Sequence, residues 1–297
     1  MRAGYNHAGH ASQNVLSMTD VNLVPLVFTD LDGTLLNHHD YSFEPARPAI
    51  DSLIEQRIPI IFNTSKTQAE SIKLARRIGI NHPLVIENGG ALVIPENYDF
   101  AEPFKNTHSW LGQAQVIPLG TSLDVIKDAL RAADSPLDVA THYEGFSTMT
   151  VADICDLTGL SPDEAKDAKS RGFSEPLRWF GDAKKLPEFE NFLNRHGLKL
   201  TLGGRFHHVM GNTDKCTAMV RLAKMYEDCA VNTGKAFIIA LGDSENDSAM
   251  LSGADIAVVV SNRAGSGLEI AHPNLIRTTR EGPHGWQEAI EQILPSL

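Results

Sequence analysis

The sequence is short of cysteine, short of positive charge, and without a long apolar run. Its three cysteines, Cys155, Cys216 and Cys229, are odd in number and no pair has metal-ligand spacing. That excludes a disulfide framework and a thiolate metal site, and it reads as reduced thiols in a cytoplasmic protein. The 26 basic residues face 37 acidic ones, for a net charge of −11. Such a field repels polyanions, so nucleic acid and anionic membrane are set aside as partners. Any anionic substrate must then be met by a local cluster of positive groups. No stretch approaches the roughly 20 apolar residues of a membrane helix. The first two dozen residues are polar, rich in Ala, Asn and His, and lack the apolar segment of a secretory signal. Residues 1–23 are read as a flexible tail, with Met18 as a second candidate start. Nothing in the sequence sets an oligomeric state.

Order begins at Val24-Pro-Leu-Val-Phe28, an apolar run that stops abruptly at Thr29-Asp30-Leu31-Asp32-Gly33. A buried parallel strand entering a loop reads this way. Pro45–Gln56 is expected as a helix, with Ile50, Leu53 and Ile54 on one face. Ile58–Phe62 is a second apolar run, ending in Asn63-Thr64-Ser65. Lys66–Ile78 is an amphipathic helix closed by Gly79. Pro83–Ile86 is a third strand, ending in Glu87-Asn88-Gly89-Gly90. Three strand–loop–helix units in a row imply a parallel sheet covered by helices, with every polar cluster at the carboxyl edge where open α/β folds put their sites.

The pattern changes near residue 91. The middle mixes a strand-like piece, Ser147–Ala152, with helix-like ones at Leu123–Ala133, Pro162–Ser170 and Leu186–His196. Alternation returns after Gly203-Gly204. A helix is expected over Asn212–Tyr226, a strand over Ala236–Leu241, a helix over Asp247–Ser252 and a strand over Asp255–Val260. The expected fold is α/β: a doubly wound parallel-sheet core, residues 24–90 plus 206–297, with an inserted α+β cap domain, residues 91–205.

Asp30 and Asp32 sit two apart where a strand becomes a loop, so both can face one way. An acidic pair before glycine is also a common turn. A calcium loop needs its glycine at the sixth position, and Gly33 is fourth. The second acidic loop, Gly242-Asp-Ser-Glu-Asn-Asp247, again follows an apolar strand, and it too fails the calcium pattern, with Ser248 and Ala254 at the sixth and twelfth positions. Two acid clusters at one sheet edge repel unless a cation sits among them. Oxygen ligands without His or Cys suggest magnesium. Thr64 and Lys215 are each bland alone, a turn residue and a lysine opening a helix. Their order between the acid clusters is what matters.

Asp30-Leu-Asp-Gly-Thr-Leu-Leu36, Thr64, Lys215 and Gly242–Asp247 resemble the four motifs of the haloacid dehalogenase superfamily of phosphatases, over residues 24–260. The resemblance implies a doubly wound core with a cap between Thr64 and Lys215, and phosphoryl transfer through an aspartyl-phosphate. By it, Asp30 is the nucleophile and Asp32 the general acid/base. Thr64 and Lys215 hold the phosphoryl oxygens. Asp243 and Asp247 hold Mg2+ together with Asp30 and the Asp32 carbonyl. These roles are chemically consistent: an ionised carboxylate attacks phosphorus only if cations neutralise the meeting of two anions.

Asn63-Thr-Ser-Lys-Thr67, Glu87-Asn-Gly-Gly90, Arg171-Gly-Phe-Ser-Glu-Pro176 and Gly203-Gly-Arg-Phe-His207 are similar to the mannosyl-3-phosphoglycerate phosphatases, which release mannosylglycerate. The resemblance implies a phosphorylated sugar–glycerate as substrate. Arg171 and Arg205 are the candidates for binding its anionic groups, and Ser65, Asn88, Ser174, Glu175 and His207 for binding the rest of it. Cys216 stands where that family often has glycine. Competing readings are a broader sugar-phosphate, sucrose-phosphate or glucosyl-3-phosphoglycerate phosphatase, and a phosphomutase. More distant are a phosphoaspartate signalling receiver, which is about half as long and has adjacent acids, and a non-catalytic sugar-phosphate binding module.

Overall fold

The structure, a computed structural model, describes residues 23–105, 110–203, 206–229, 234–262 and 268–297. In chain order its strands and helices are β1 (Leu23–Thr29), α1 (Arg47–Glu55), β2 (Ile60–Phe62), α2 (Gln68–Ile78), β3 (Leu84–Ile86), β4 (Ala91–Ile94), β5 (Gln115–Pro118), α3 (Leu123–Leu137), β6 (Tyr143–Gly145), α4 (Val151–Thr158), α5 (Pro162–Lys169), β7 (Ser174–Trp179), α6 (Leu186–Arg195), β8 (Leu198–Gly203), β9 (Phe206–Gly211), α7 (Lys215–Cys229), β10 (Lys235–Gly242), α8 (Ser248–Ser252), β11 (Ile256–Ser261), β12 (Leu275–Glu281) and α9 (Gly282–Ile293).

The core is a five-stranded parallel sheet in the order β12-β11-β10-β1-β2. In β1, Leu26, Val27 and Phe28 are all fully buried, so alternate side chains feed apolar clusters on both faces of the sheet. This is why β1 reads as a continuous apolar run and not as an alternation. Its register sets Phe28 beside Ala240 of β10 and Ile61 of β2. The two acidic loops therefore emerge side by side, from β1 and from β10, where the strand order reverses.

The third apolar run does not extend this sheet. A single parallel bridge, Asn63 to Val85, ties it to the end of β2, and β3 then opens an antiparallel sheet in the order β3-β4-β5. The reason is local. Glu87, Asn88 and Gly89 take positive φ of 48°, 55° and 88°, which turns the chain back on itself at once. Gly89 is also where α7 begins to pack: a Cβ there would lie 2.1 Å from the Asp214 carbonyl oxygen. In β4, Ala91 and Val93 join the core cluster on one side, and Leu92 and Ile94 the cluster on the other.

The third sheet is antiparallel, in the order β6-β7-β9-β8. Helices α3 and α6 cover one face through Ile126, Leu130, Phe189 and Leu193, packed on Leu177 and Val209. Ser147–Ala152, expected as a strand, is a turn leading into α4. Thr150 caps that helix: its backbone N–H donates to Asp153 Oδ2 at 2.7 Å, and its hydroxyl accepts from Asp153 N at 3.2 Å. That closed capping box outcompetes extended pairing for a β-branched stretch. No helix among the described residues is long and apolar enough to cross a membrane.

Candidate active site

Asp30 prolongs β1 by one residue, its N–H donating to Leu241 O at 2.9 Å. The chain then reverses within six residues. Gly33, at φ 85°, donates to Leu36 O at 2.9 Å, and a Cβ at Gly33 would strike Asp243 Oδ2 at 2.7 Å. Only glycine serves at that point. Thr34 of the same loop donates its hydroxyl to Asp243 Oδ1 at 3.0 Å. After β10, Asp247 folds back over its own loop and accepts the backbone N–H of Asp243 and of Ser244, both at 3.1 Å.

Lys215, the first residue of α7, is fully buried and reaches between the two acid loops. Its Nζ lies 2.6 Å from Asp30 Oδ1 and 2.6 Å from Asp247 Oδ1. Asn63, at the end of β2, donates to the Lys215 carbonyl at 2.9 Å and so fixes the start of α7. Cys216 packs against Gly253: a Cβ on that glycine would meet its sulfur at 2.7 Å.

Asp30, Asp243 and Asp247, all buried, offer carboxylate oxygens within 4.8 Å of one another. Burial raises the pKa of Asp30 well above the ordinary carboxylate value, with Asp247 and Asp243 adding to it and Lys215 opposing. Burial and Asp247 raise Asp243 likewise. Burial disfavours the Lys215 ammonium, but Asp247 and Asp30 hold its pKa above the usual lysine value. One ammonium among three buried carboxylates leaves excess negative charge. A hard cation with oxygen ligands fits that deficit.

Asp32 stands apart from this cluster. Its Oδ2 lies 2.8 Å from Lys66 Nζ, and its Oδ1 is buried without a partner. Burial disfavours the Lys66 charge, but Asp32 and Glu70 hold its pKa above normal. Thr64 is buried beside them, with its Oγ1 accepting from Lys66 N at 3.1 Å.

The residues expected to bind substrate divide. Arg171 donates to Ser65 O at 2.6 Å and to Ser174 Oγ at 3.0 Å, and lies 3.6 Å from Glu87 Oε2. Glu87 also accepts from Gly172 N, Phe173 N and Ser174 Oγ at 2.8, 3.0 and 2.7 Å. This buried knot ties the start of β7 to the loops after β2 and β3. Asn88 accepts from Asn246 at 3.2 Å beside the acidic loop. Glu175 and His207 lie elsewhere. His207 is directly opposite Leu177, and Glu175 is two residues before it, so both share the face covered by α3 and α6. Glu175 accepts there from Ser147 N at 2.8 Å, and burial raises its carboxyl pKa. Arg205 lies outside the described residues.

The face turned towards the core carries the neighbours of those residues. His208, buried, stands between Pro176 and Thr201 with its Nδ1 unpartnered. Burial, then Arg171 and His207, push its pKa down to about 3. An unfolded imidazole takes up a proton near pH ~6.5 that the folded one refuses. Stability is therefore whole above that value and falls as the pH drops from there towards 3, by about 1.4 kcal/mol per pH unit. His208→Asn is expected to flatten this acid limb in urea unfolding at pH 7, 6, 5 and 4. Parallel limbs for variant and wild type would refute the assignment.

Lys66, Glu87, Thr34, Lys199 and Thr201 were not assigned roles by sequence. Glu87 belongs to a motif that was legible there. Lys199 and Thr201 carry no local signal, because a strand alternation names two faces without saying which one meets the core.

A doubly wound sheet that gathers carboxylates and one lysine at its carboxyl edge, with an antiparallel sheet alongside, defines a class of aspartate-based α/β hydrolases. The sequence model described as haloacid dehalogenase-like hydrolase matches residues 27–108 and 178–282. The chain belongs to that family and is one of its phosphatases. It is 35% identical over 274 residues to the glucosyl-3-phosphoglycerate/mannosyl-3-phosphoglycerate phosphatase of Persephonella marina, covering 92% of this chain and 98% of the relative. With the protein of the same name from Methanococcoides burtonii the identity is 36%, covering 91% and 97%. Among solved structures, a subclass IIB sugar phosphatase of the superfamily superposes with a TM-score of 0.62 at 13% identity, over 92% of this chain and all of the other. The sucrose-phosphatase of Synechocystis does so at 0.56 and 12%, over 91% and 98%. At those identities the structures speak for the fold.

Proposed function

We propose that the protein hydrolyses mannosyl-3-phosphoglycerate and glucosyl-3-phosphoglycerate to the glycosylglycerate and phosphate, with Mg2+, in the cytoplasm. The observation that carries the chemistry is Lys215 held at 2.6 Å from both Asp30 and Asp247. The relatives' shared name supports the substrate class. We place the cap at about residues 120–211 and group β4 and β5 with the core, because Leu92, Ile94, Ile117 and Leu119 pack with it.

Lys215 engages Oδ1 of Asp30 and leaves Oδ2 to attack phosphorus. The bond from phosphorus to the glycerate oxygen breaks as the bond to Asp30 forms. Asp32 delivers the proton to the leaving alkoxide. It then takes a proton from the water that opens the acyl-phosphate, which restores the Asp30 carboxylate and frees phosphate. Thr64 and Lys215 steady the equatorial oxygens. Asp30, Asp243 and Asp247, with the Asp32 carbonyl, would hold Mg2+, which would supply positive charge against the phosphoryl group.

The test is phosphate release from mannosyl- and glucosyl-3-phosphoglycerate, sucrose phosphate and hexose phosphates, with Mg2+ and with EDTA. The two phosphoglycerates are expected to give the highest kcat/KM, and EDTA to abolish release. Turnover of hexose phosphates alone would overturn the substrate assignment.

A further inference from the structure

A cavity of about 220 Å3 lies between the cap's sheet and the acidic loop, lined by Asn88, Lys199, Thr201, Asp214, Glu245 and Asn246, with Lys215 also in its wall. It thus adjoins the cation that holds the nucleophile. Lys199 and Thr201 enter it from alternate positions of β8, the former opposite Met210 and the latter opposite His208.

The charges around the cleft decide what the cavity takes. Lys215 is spent on Asp30 and Asp247, Lys66 on Asp32 and Glu70, and Arg171 on Glu87. The Lys199 side chain has no ion-pair or hydrogen-bond partner among the described residues, and its ammonium supplies free donors. Asp214 and Glu245 face the same space. Two carboxylates beside one ammonium disfavour a second anion, yet they are good acceptors for hydroxyl groups. Asn246 and Asn88 already bond each other at 3.2 Å and present their remaining amide positions. Such a mixture, with no aromatic side chain among the described lining residues, suits a neutral polyhydroxylated ring. The volume is below the roughly 300–1,000 Å3 of a pocket for a drug-sized ligand, which matches a single ring.

We propose that this cavity is the glycosyl subsite, with Lys199 and Thr201 as the cap residues that determine recognition of the sugar hydroxyls. The proposal rests on the substrate reading above. It assigns the sugar to the face of β8 that meets the core, and takes Glu175 and His207, on the opposite face, out of sugar binding.

The test uses the full-length enzyme with Lys199→Met and the near-isosteric Thr201→Val. Each is expected to lower kcat/KM on glucosyl- and mannosyl-3-phosphoglycerate about tenfold or more, as a rise in KM. Leaving a substrate hydroxyl to face an apolar group has this order of effect. Competitive inhibition by the dephosphorylated glycosylglycerate should weaken in parallel, while inhibition by inorganic phosphate keeps its wild-type constant. A decrease of less than twofold, or equal weakening towards glycosylglycerate and phosphate, overturns the subsite. If the wild type turns over only hexose phosphates, the substrate reading fails alone. The same variants are then scored on that hexose phosphate against inorganic phosphate, with the same two outcomes deciding.

Discussion

Asp30→Asn is expected to lower turnover by about 10⁴-fold or more, because an amide does not attack phosphorus and, among the described residues, no other carboxylate stands in its place. Asp243 is held by Thr34 and Asn262, and Asp247 by the backbone of its own loop, so neither is free to substitute. The variant should nevertheless fold, and in EDTA it should melt at a higher temperature than the wild type. The reason is the charge excess. Burial and the neighbouring Asp247 and Asp243 make the Asp30 anion costly, while an amide oxygen still accepts from Lys215. Removing a costly charge needed for reaction commonly raises stability. Phosphate release together with thermal melts in EDTA checks both halves. Retained turnover would take the nucleophile's role from Asp30, and a lowered melting temperature would contradict the electrostatic account.

Lys215→Met is the second large effect, and its sign on stability is the opposite. The ammonium is fully buried, and its removal leaves Asp30 and Asp247 facing each other without a counter-charge. Breaking a buried pair from one side costs about 3–5 kcal/mol, and here one cation serves two anions. Unfolding in urea with EDTA should show that loss, and added Mg2+ should recover part of the stability. Turnover should stay at least about 10³-fold down even with Mg2+, since the phosphoryl oxygens and Asp30 Oδ1 both lose their donor. A variant as stable as the wild type in EDTA would show that the lysine does not hold the two loops together.

Much of this was legible in the chain. The apolar runs that stop at Asp30 and Asp243 read as strands ending in acidic loops, and both acids lie at those ends. The helix closed by Gly79 was legible because Thr67 and Glu70 form a capping box and Gly79 takes the left-handed conformation, all within a dozen residues. Signals of that kind are local, and local chemistry is what a sequence displays. The sequence falls short where distant partners decide. The run at Leu84–Ile86 has the composition of another parallel strand, yet the left-handed turn at Glu87–Gly89 diverts it into a second sheet. Arg171 was legible as a guanidinium suited to anions, but its contacts with Glu87 and the Ser65 carbonyl join segments that no local pattern links.

By itself the sequence determined the α/β class, the two acidic loops and the order of acid, hydroxyl, lysine and acid along the chain, because each depends on residues within one strand and its turn. Only the tertiary structure decided that Lys215 stands between Asp30 and Asp247, residues 185 and 32 positions away. It also decided that His208 and Thr201, not His207, face the core. A pleated strand offers its two faces equally. Which of them meets the core is chosen by the helices, α3 and α6, that bury the other.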